Sequence, residues 1–480
     1  MPLILGTNSI KDTGYDVANS CRFDDGSSDN LSRNTWGTPT NNKKFTISVW
    51  VKRCTNGATQ QIVNSYVGSG NDNQLKFKNT DAIELTVSTS GTEYFLKTNR
   101  LFRDVSAWYH IVFAFDSTQG TDSNRYKLYV NGTQETSFSS VSYPPQDTTY
   151  QFFNNSNANR IGIAHGGSAE PFDGYMAEFC FIDGQQLTPT SFGEFDDDSP
   201  TIWKPIDVSS LTFGTNGFYL DFEDSGDLGD DESGNGNDFT ENNLAATDQS
   251  LDSPTNNFCT LNSLNAALTN STLSEGNLQF AGGDQGVNYD YVGATMAPSQ
   301  GKLYWEVKAV DNAEIDQVGV AKSDLAFFSN ASNSNGLQAT TYGGKAVQFS
   351  NGNKAGDGSQ SSFMGGFSAN NILMVALDLD NGNIYFGRNG QWADGSGNAD
   401  EAFGDATAAY TNLTAGAAYV PAHNMRNNGG SNAGESEYNF GSPPYANSSS
   451  VADANGYGAF EYAPPSGYYS LCTKNLAEYG

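Results

Sequence analysis

Positive charge is scarce in this chain. Its 24 Lys and Arg stand against 54 Asp and Glu, leaving a net charge of −30. A nucleic-acid binder needs cationic surface to displace counterions from phosphate, and anionic lipid repels an acidic protein, so neither nucleic acid nor membrane is expected as a partner. Cysteine is equally sparse. Cys21, Cys54, Cys180, Cys259 and Cys472 are odd in number, widely spaced and free of any CxxC pair. They predict buried free thiols rather than a disulfide framework or a zinc site. The three histidines, His110, His165 and His423, show no metal-ligand spacing. No window offers the roughly 18 apolar residues of a spanning helix. Pro2 and the short apolar patch Leu3 to Leu5 lack the basic start and apolar core of a signal peptide. P-loops, dinucleotide fingerprints, G-x-S-x-G elbows, heptads and collagen-like repeats are missing too.

What the chain does have is one pattern written twice. Trp108 to Asp116, Tyr126 to Val130 and Asn131-Gly132 form the first copy. Ile372 to Asp378, Asn381-Gly382, Ile384 to Phe386 and Asn389-Gly390 form the second. Each reads as an apolar strand, a carboxylate where the strand reaches water, a turn, a second strand and an Asn-Gly turn. Asn-Gly between β-prone runs is a strong hairpin signal, because both central residues of a type I′ turn need positive φ. Tyr and Phe, 24 and 30 residues, dominate the aromatics, as suits strands. Short strands recur between Gly, Asn, Asp and Ser clusters, and 480 residues exceed one ordinary domain. The fold class expected is all-β: two β-sandwich (jelly-roll) domains in tandem, joined by an acidic, glycine-rich connector.

The expected boundaries are an N-terminal arm over residues 1–20, a first sandwich over 21–205, the connector over 206–258 and a second sandwich with a C-terminal tail over 259–480. Charge supports the division. Residues 1–205 carry −6, whereas residues 206–255 carry −12 without one Lys or Arg. The aperiodic stretch Glu223 to Asp238 reads as a linker, held against a neighbouring lobe by Phe218, Phe222 and Phe239. Ser350 to Ser362 and Gly429 to Gly434 read as glycine-rich loops.

Three resemblances follow from particular residues. Phe45 to Arg53, Trp108 to Val112, Leu128 to Gly132 and Phe172 to Glu178 make residues 21–200 resemble the laminin-G/concanavalin-A-like jelly rolls. Tyr304 to Val307, Val318 to Ala321 and Leu377 to Gly390 make residues 260–445 resemble a SPRY (B30.2-like) domain, which implies an interaction module without catalysis. Arg22 to Arg33, Asp230 to Asn257 and Pro464 to Leu476 are together similar to lectin-like virion structural proteins of tailed (marine) phages. The last resemblance implies a non-enzymatic structural protein made in the host cytoplasm and carried on the virion surface. It would be a tail fibre, receptor-binding or capsid decoration subunit. Its partners would be other virion proteins, host-surface carbohydrate and, as is common among such appendages, two further copies in a trimer. A glycan-degrading enzyme on a concanavalin-A-like scaffold, or a cellular lectin or adhesin, is the alternative.

Candidate chemistry is thin. Retaining glycosidases need two carboxylates about 5 Å apart. The nearest pattern, Glu314-Ile315-Asp316, lacks its third acid and reads as loop surface; Glu194 to Asp198 reads as a solvated exit loop. His110, in mid-strand, reads as structural. No cofactor is expected except calcium, which jelly-roll lectins often hold at a rim. Asp231 to Asn242 fails as an EF-hand loop, since Ser233 and Asn242 occupy its third and twelfth positions. Asp116, at a strand end, is the candidate metal ligand. Sugar stacking needs exposed aromatics, and Tyr342 and Trp392, in or beside loops of the second sandwich, are the candidate ligand contacts.

Overall fold

The computed structural model describes residues 14–68, 71–154, 159–282, 289–311, 315–323, 336–426 and 434–480. Between Thr255 and Asn256 the described chain parts into two compact units. Each is built on a pair of large β-sheets, mostly antiparallel, enclosing its own apolar core, and the first adds a two-stranded sheet of Gly193–Phe195 and Trp203–Pro205. Among the described residues no helix is long and apolar enough to cross a membrane. A seven-residue helix, Thr473–Tyr479, escaped the sequence reading.

In the first unit one sheet runs Thr133–Gln134, Tyr126–Val130, Trp108–Asp116, Lys44–Arg53, Gly174–Asp183, Ser20–Phe23, Gln249–Ser250. The facing sheet runs Phe138–Ser142, Thr92–Leu101, Ala82–Thr89, Asp72–Phe77, Gln60–Tyr66, Asn159–Ile161, Asn30–Arg33, Thr240–Asn242. Leu31, Ile161, Val63, Leu75, Leu85 and Leu96 are register partners across the second sheet and point inward. In the second unit Lys302–Asp311 lies between Ile372–Asp378 and Glu435–Asn439, and Ile315–Lys322 between Tyr419–Arg426 and Lys345–Gln348.

The doubled sequence pattern becomes a doubled device. Asn131 and Gly132 take φ of 46° and 75°, and Asn389 and Gly390 take 51° and 86°, as a type I′ turn requires. A Cβ on Gly132 would also lie 2.3 Å from the Trp203 ring. Asn131 Oδ1 accepts the His110 amide at 2.8 Å, and Asn389 Oδ1 accepts the Ile372 amide at 2.8 Å. Each turn thereby fastens a third strand. At the other end, Lys44 meets its register partner Asp116 at 3.1 Å, and Lys302 meets Asp378 at 3.2 Å.

Two expectations need correction. Residues 206–255 are not a linker: Phe218–Leu220 pairs with Gly174–Asp183, Thr240–Asn242 with Asn30–Arg33, and Gln249–Ser250 with Ser20–Phe23. Phe218, Phe222 and Phe239 do belong to a lobe, as core members of the first unit. Strands this short show no alternation, and the acidic side chains serve the intervening turns. Asp231, for example, accepts the amides of Tyr219, Ser233 and Asn237. The Ser350 to Ser362 loop likewise contains a hairpin of Lys354–Gly356 and Ser359–Ser361. Of the N-terminal arm, Val17 is buried and donates its amide to Thr255 Oγ1 at 3.0 Å, inside the first unit. Residues 1–13, and 429–433 of the second glycine-rich loop, lie outside the described residues.

Candidate functional site

The outer face of the second sheet of the first unit is where the chain concentrates polar side chains in register. Alternation along a strand turns every second residue outward. One row crosses all eight strands: Thr240, Ser32, Arg160, Asn64, Gln74, Thr86, Phe95 and Ser142. A second holds Gln61, Lys76, Glu84, Lys97 and Ser140. At one end a cleft of about 380 Å³ opens between Ser32, Arg33, Asn34, Thr35, Arg160, Asp238 and Thr240. Arg160 Nη1 donates to Asn30 Oδ1 at 2.8 Å, while its Nε, shielded from solvent, meets no acceptor among the described residues. Arg33 donates to Thr35 O and Asp238 O, and its guanidinium lies 5.1 Å from the Trp36 ring centre. Two residues beyond Asn64, the partly exposed Tyr66 stacks on the exposed His165 ring at 3.9 Å between centroids, and the His165 amide donates to Asn64 Oδ1. The middle of the face, Gln61, Asn64, Gln74, Lys76, Glu84 and Thr86, is buried, so what it offers is the cationic cleft, hydroxyls at its two edges and the aromatic pair.

Glu84 and Glu170 also reach this face. Lys76 Nζ bridges them, 3.9 Å from Glu84 Oε1 and 3.4 Å from Glu170 Oε2, and Lys97 binds Glu84 at 2.9 Å. The Lys76 ammonium thus lies between the two carboxylates as their shared counter-ion.

A different group gathers at one rim of the unit. Asp24, Asp25 and Asp173 each bring a carboxylate oxygen within 4.8 Å of the others. Phe23 and Gly174 are register partners of antiparallel strands, so the residues just past them, Asp24 and Asp173, emerge side by side. Both stretches carry the sequence resemblances, but nothing in their spacing marks them as ligands; the pairing of the two strands is the missing signal.

The residues singled out from sequence lie elsewhere. Trp392 is 5% exposed, packed edge-on against Phe403 at 4.9 Å, and Tyr342 is 4% exposed beside Tyr291 at 5.4 Å. Neither offers a face for stacking, because apolar neighbours in the same unit cover both rings. Asp116 caps its own turn. Burial pushes its carboxyl up, but hydrogen bonds from Thr118, Gln119 and Lys44 outweigh this and hold it below the usual range. Those contacts engage both oxygens, and its counterpart Asp378 is occupied in the same way by Asn381 and Lys302. Glu314 lies outside the described residues. Asp316 is not loop surface but fully buried on Ile315–Lys322, 3.8 Å from His423 Nε2. His110 sits between Ser48 Oγ at 2.8 Å and the Trp203 indole N–H at 2.9 Å; burial lowers its pKa to about 3, so the neutral ring serves packing.

The geometry defines a lectin-like jelly roll in the first unit and an all-β sandwich in the second. Residues 25–190 match the profile of the concanavalin A-like lectin/glucanases superfamily (Laminin_G_3). No curated protein sequence matches the chain. Among solved structures it is similar to the SPRY domain of human HERC1, at 16% identity and a TM-score of 0.29, over 37% of this chain and 96% of that one. It is also similar to a Bacteroides ovatus protein provisionally described as carbohydrate binding, at 17% identity and a TM-score of 0.31, over 48% and 59% of the two chains. A third similar structure is the heptameric SAP-like pentraxin of Limulus polyphemus, at 15% identity and a TM-score of 0.27, over 36% and 80%.

Proposed function

We propose that this protein is a non-enzymatic glycan-binding structural protein of a tailed-phage virion. It is an exposed appendage subunit whose first unit contacts host-surface carbohydrate and whose other surfaces meet virion proteins. The observation that carries the glycan reading is the outer polar face, with its Arg33–Arg160 cleft at one end and the Tyr66–His165 pair beyond Asn64. Carbohydrate recognition combines ring stacking with hydrogen bonds from polar side chains; the aromatic pair supplies the first, and the cleft, with Arg33, Asn34, Thr35 and Thr240, supplies the second. The superfamily match over residues 25–190 supports the lectin-like reading. The virion assignment rests on the sequence likeness of Arg22 to Arg33, Asp230 to Asn257 and Pro464 to Leu476 to phage structural proteins.

The test is binding of the purified chain to an array of bacterial surface glycans, with labelled chain located on particles by electron microscopy. Tyr66→Ala is expected to weaken glycan binding about tenfold, the worth of one lost aromatic contact, with no change in melting temperature. Retained affinity in Tyr66→Ala and Arg160→Ala together would remove this face from the reading. Turnover of a glycan by the native chain would replace binding with hydrolysis.

A further inference from the structure

The rim cluster is not used by the glycan face, and its chemistry is different. We propose that Asp24, Asp25 and Asp173 form a binding site for a hard divalent cation, with calcium the ion that suits them. The key group is Asp173. It is 4% exposed, one carboxylate oxygen accepts Thr55 Oγ1, and the other, Oδ1, is shielded from solvent and meets no hydrogen-bond donor among the described residues. A buried carboxylate oxygen left unsatisfied is costly, and two further carboxylates set against it raise the cost. Burial, opposed by the Thr55 hydrogen bond and aided by Asp25 and Asp24, pushes the Asp173 carboxyl up to about 7. A cation removes the repulsion and fills the vacant coordination in one step.

The backbone is arranged to keep the acids together. Gly174 takes φ of 148°, and a Cβ there would meet Lys52 O at 2.1 Å, so the chain can pass close to Lys44–Arg53 only with glycine. Asp29 spends its own oxygens on the loop, accepting the Asp24 amide at 2.9 Å and Ser27 Oγ at 2.6 Å. That leaves Asp24 and Asp25 held beside Asp173, with Asp25 exposed and open to water. All three donors are carboxylate oxygens, with no imidazole or thiolate among them, which favours calcium or magnesium over zinc or copper. Calcium accepts six to eight oxygens in irregular geometry, so backbone carbonyls and water complete a shell begun by three acids.

The experiment uses the full chain, freed of metal by chelator and dialysis, titrated calorimetrically with calcium chloride and with magnesium chloride and melted in parallel. One calcium per chain is expected to bind, more tightly than magnesium, and to raise the melting temperature of the first unit. Asp25→Asn, at an exposed position, is expected to fold normally and bind calcium at least about tenfold more weakly, since affinity follows the count of charged ligands. Asp173→Asn is expected to lose both the heat and the calcium-dependent shift, yet to melt in chelator no lower than the native chain, because the substitution removes a buried like charge. Absence of heat and of any thermal shift at about 10 mM calcium, well above the millimolar dissociation constants of weak extracellular sites, overturns the proposal. So does calcium binding that survives Asp173→Asn unchanged. Either result leaves the glycan face untouched, since none of its side chains is altered.

Discussion

Replacing Asp252 with alanine is expected to unfold the first unit under conditions the native chain tolerates. Asp252 Oδ2 lies 2.6 Å from Lys52 Nζ, with the two side chains 2% and 0% exposed, and Oδ1 accepts the Trp108 indole N–H at 3.0 Å. Removing the carboxylate takes its charged partner from a buried ammonium. Such a loss costs about 3–5 kcal/mol against a total stability of about 5–15 kcal/mol. Urea denaturation followed by tryptophan fluorescence measures it, because Trp108 touches the altered group. A midpoint within error of the native value would show that water replaces the lost partner. The double variant Lys52→Met with Asp252→Ala is expected to recover most of the loss, because no charge is then left unpaired. Asp252 falls within the segment that reads as a connector, so truncating the chain after Pro205 is expected to be worse still. It removes Asp252, the Asp248 partner of Arg22 at 2.9 Å, and three strands of the sheets at once.

Glu306→Ala is expected to do comparable damage in the second unit. Oε1 accepts the Tyr304 hydroxyl at 2.9 Å and the Tyr462 amide at 2.8 Å; Oε2 accepts Asn439 Nδ2 at 3.1 Å and the Glu461 amide at 3.0 Å. The side chain pins the C-terminal segment to Lys302–Asp311. Alanine orphans these donors at about 1–3 kcal/mol for each that stays buried, a loss on the order of 4 kcal/mol. Calorimetry should show the melting transition of this unit moving down while that of the first unit stays. A shift of both, or of neither, would contradict the assignment. Burial, against the opposing hydrogen bonds, pushes the Glu306 carboxyl up from 4.5 to about 7. A pKa higher in the folded than in the unfolded chain means tighter proton binding on folding. Its contribution to stability is therefore complete below about pH 4.5 and lost as pH rises through about 7. Glu306→Gln is expected to flatten that dependence.

The hairpins of both units are legible in the residues, because strand pairing within them is local. An apolar strand, a turn and Asn-Gly fix a hairpin within some twenty residues, and the same side chains, Asn131 and Asn389, then reach a third strand. What sequence conceals is pairing across long separations. Thr240–Asn242 finds Asn30–Arg33 about two hundred residues upstream, and no period survives in three residues. The polar face is hidden for the same reason: Thr240, Ser32, Arg160 and Asn64 become neighbours only when four distant strands align. Tyr342 and Trp392 attract notice as aromatics near loops, yet loop position does not decide exposure. Tyr66 is equally visible in the sequence, but it stands at a strand end, and its stacking partner His165 comes from a loop a hundred residues later.

The cysteines give the folded chain a silent set of reporters. All five side chains are free and at most 1% exposed, and burial pushes the thiols of Cys21, Cys54 and Cys180 well above their usual range and that of Cys472 up to about 11. Maleimide reacts with thiolate, so the native protein should ignore it and any opening should write itself into the chain as added mass. Peptides around Cys21, Cys54 and Cys180 would date the opening of one sandwich, and those around Cys259 and Cys472 the opening of the other, without a single engineered residue.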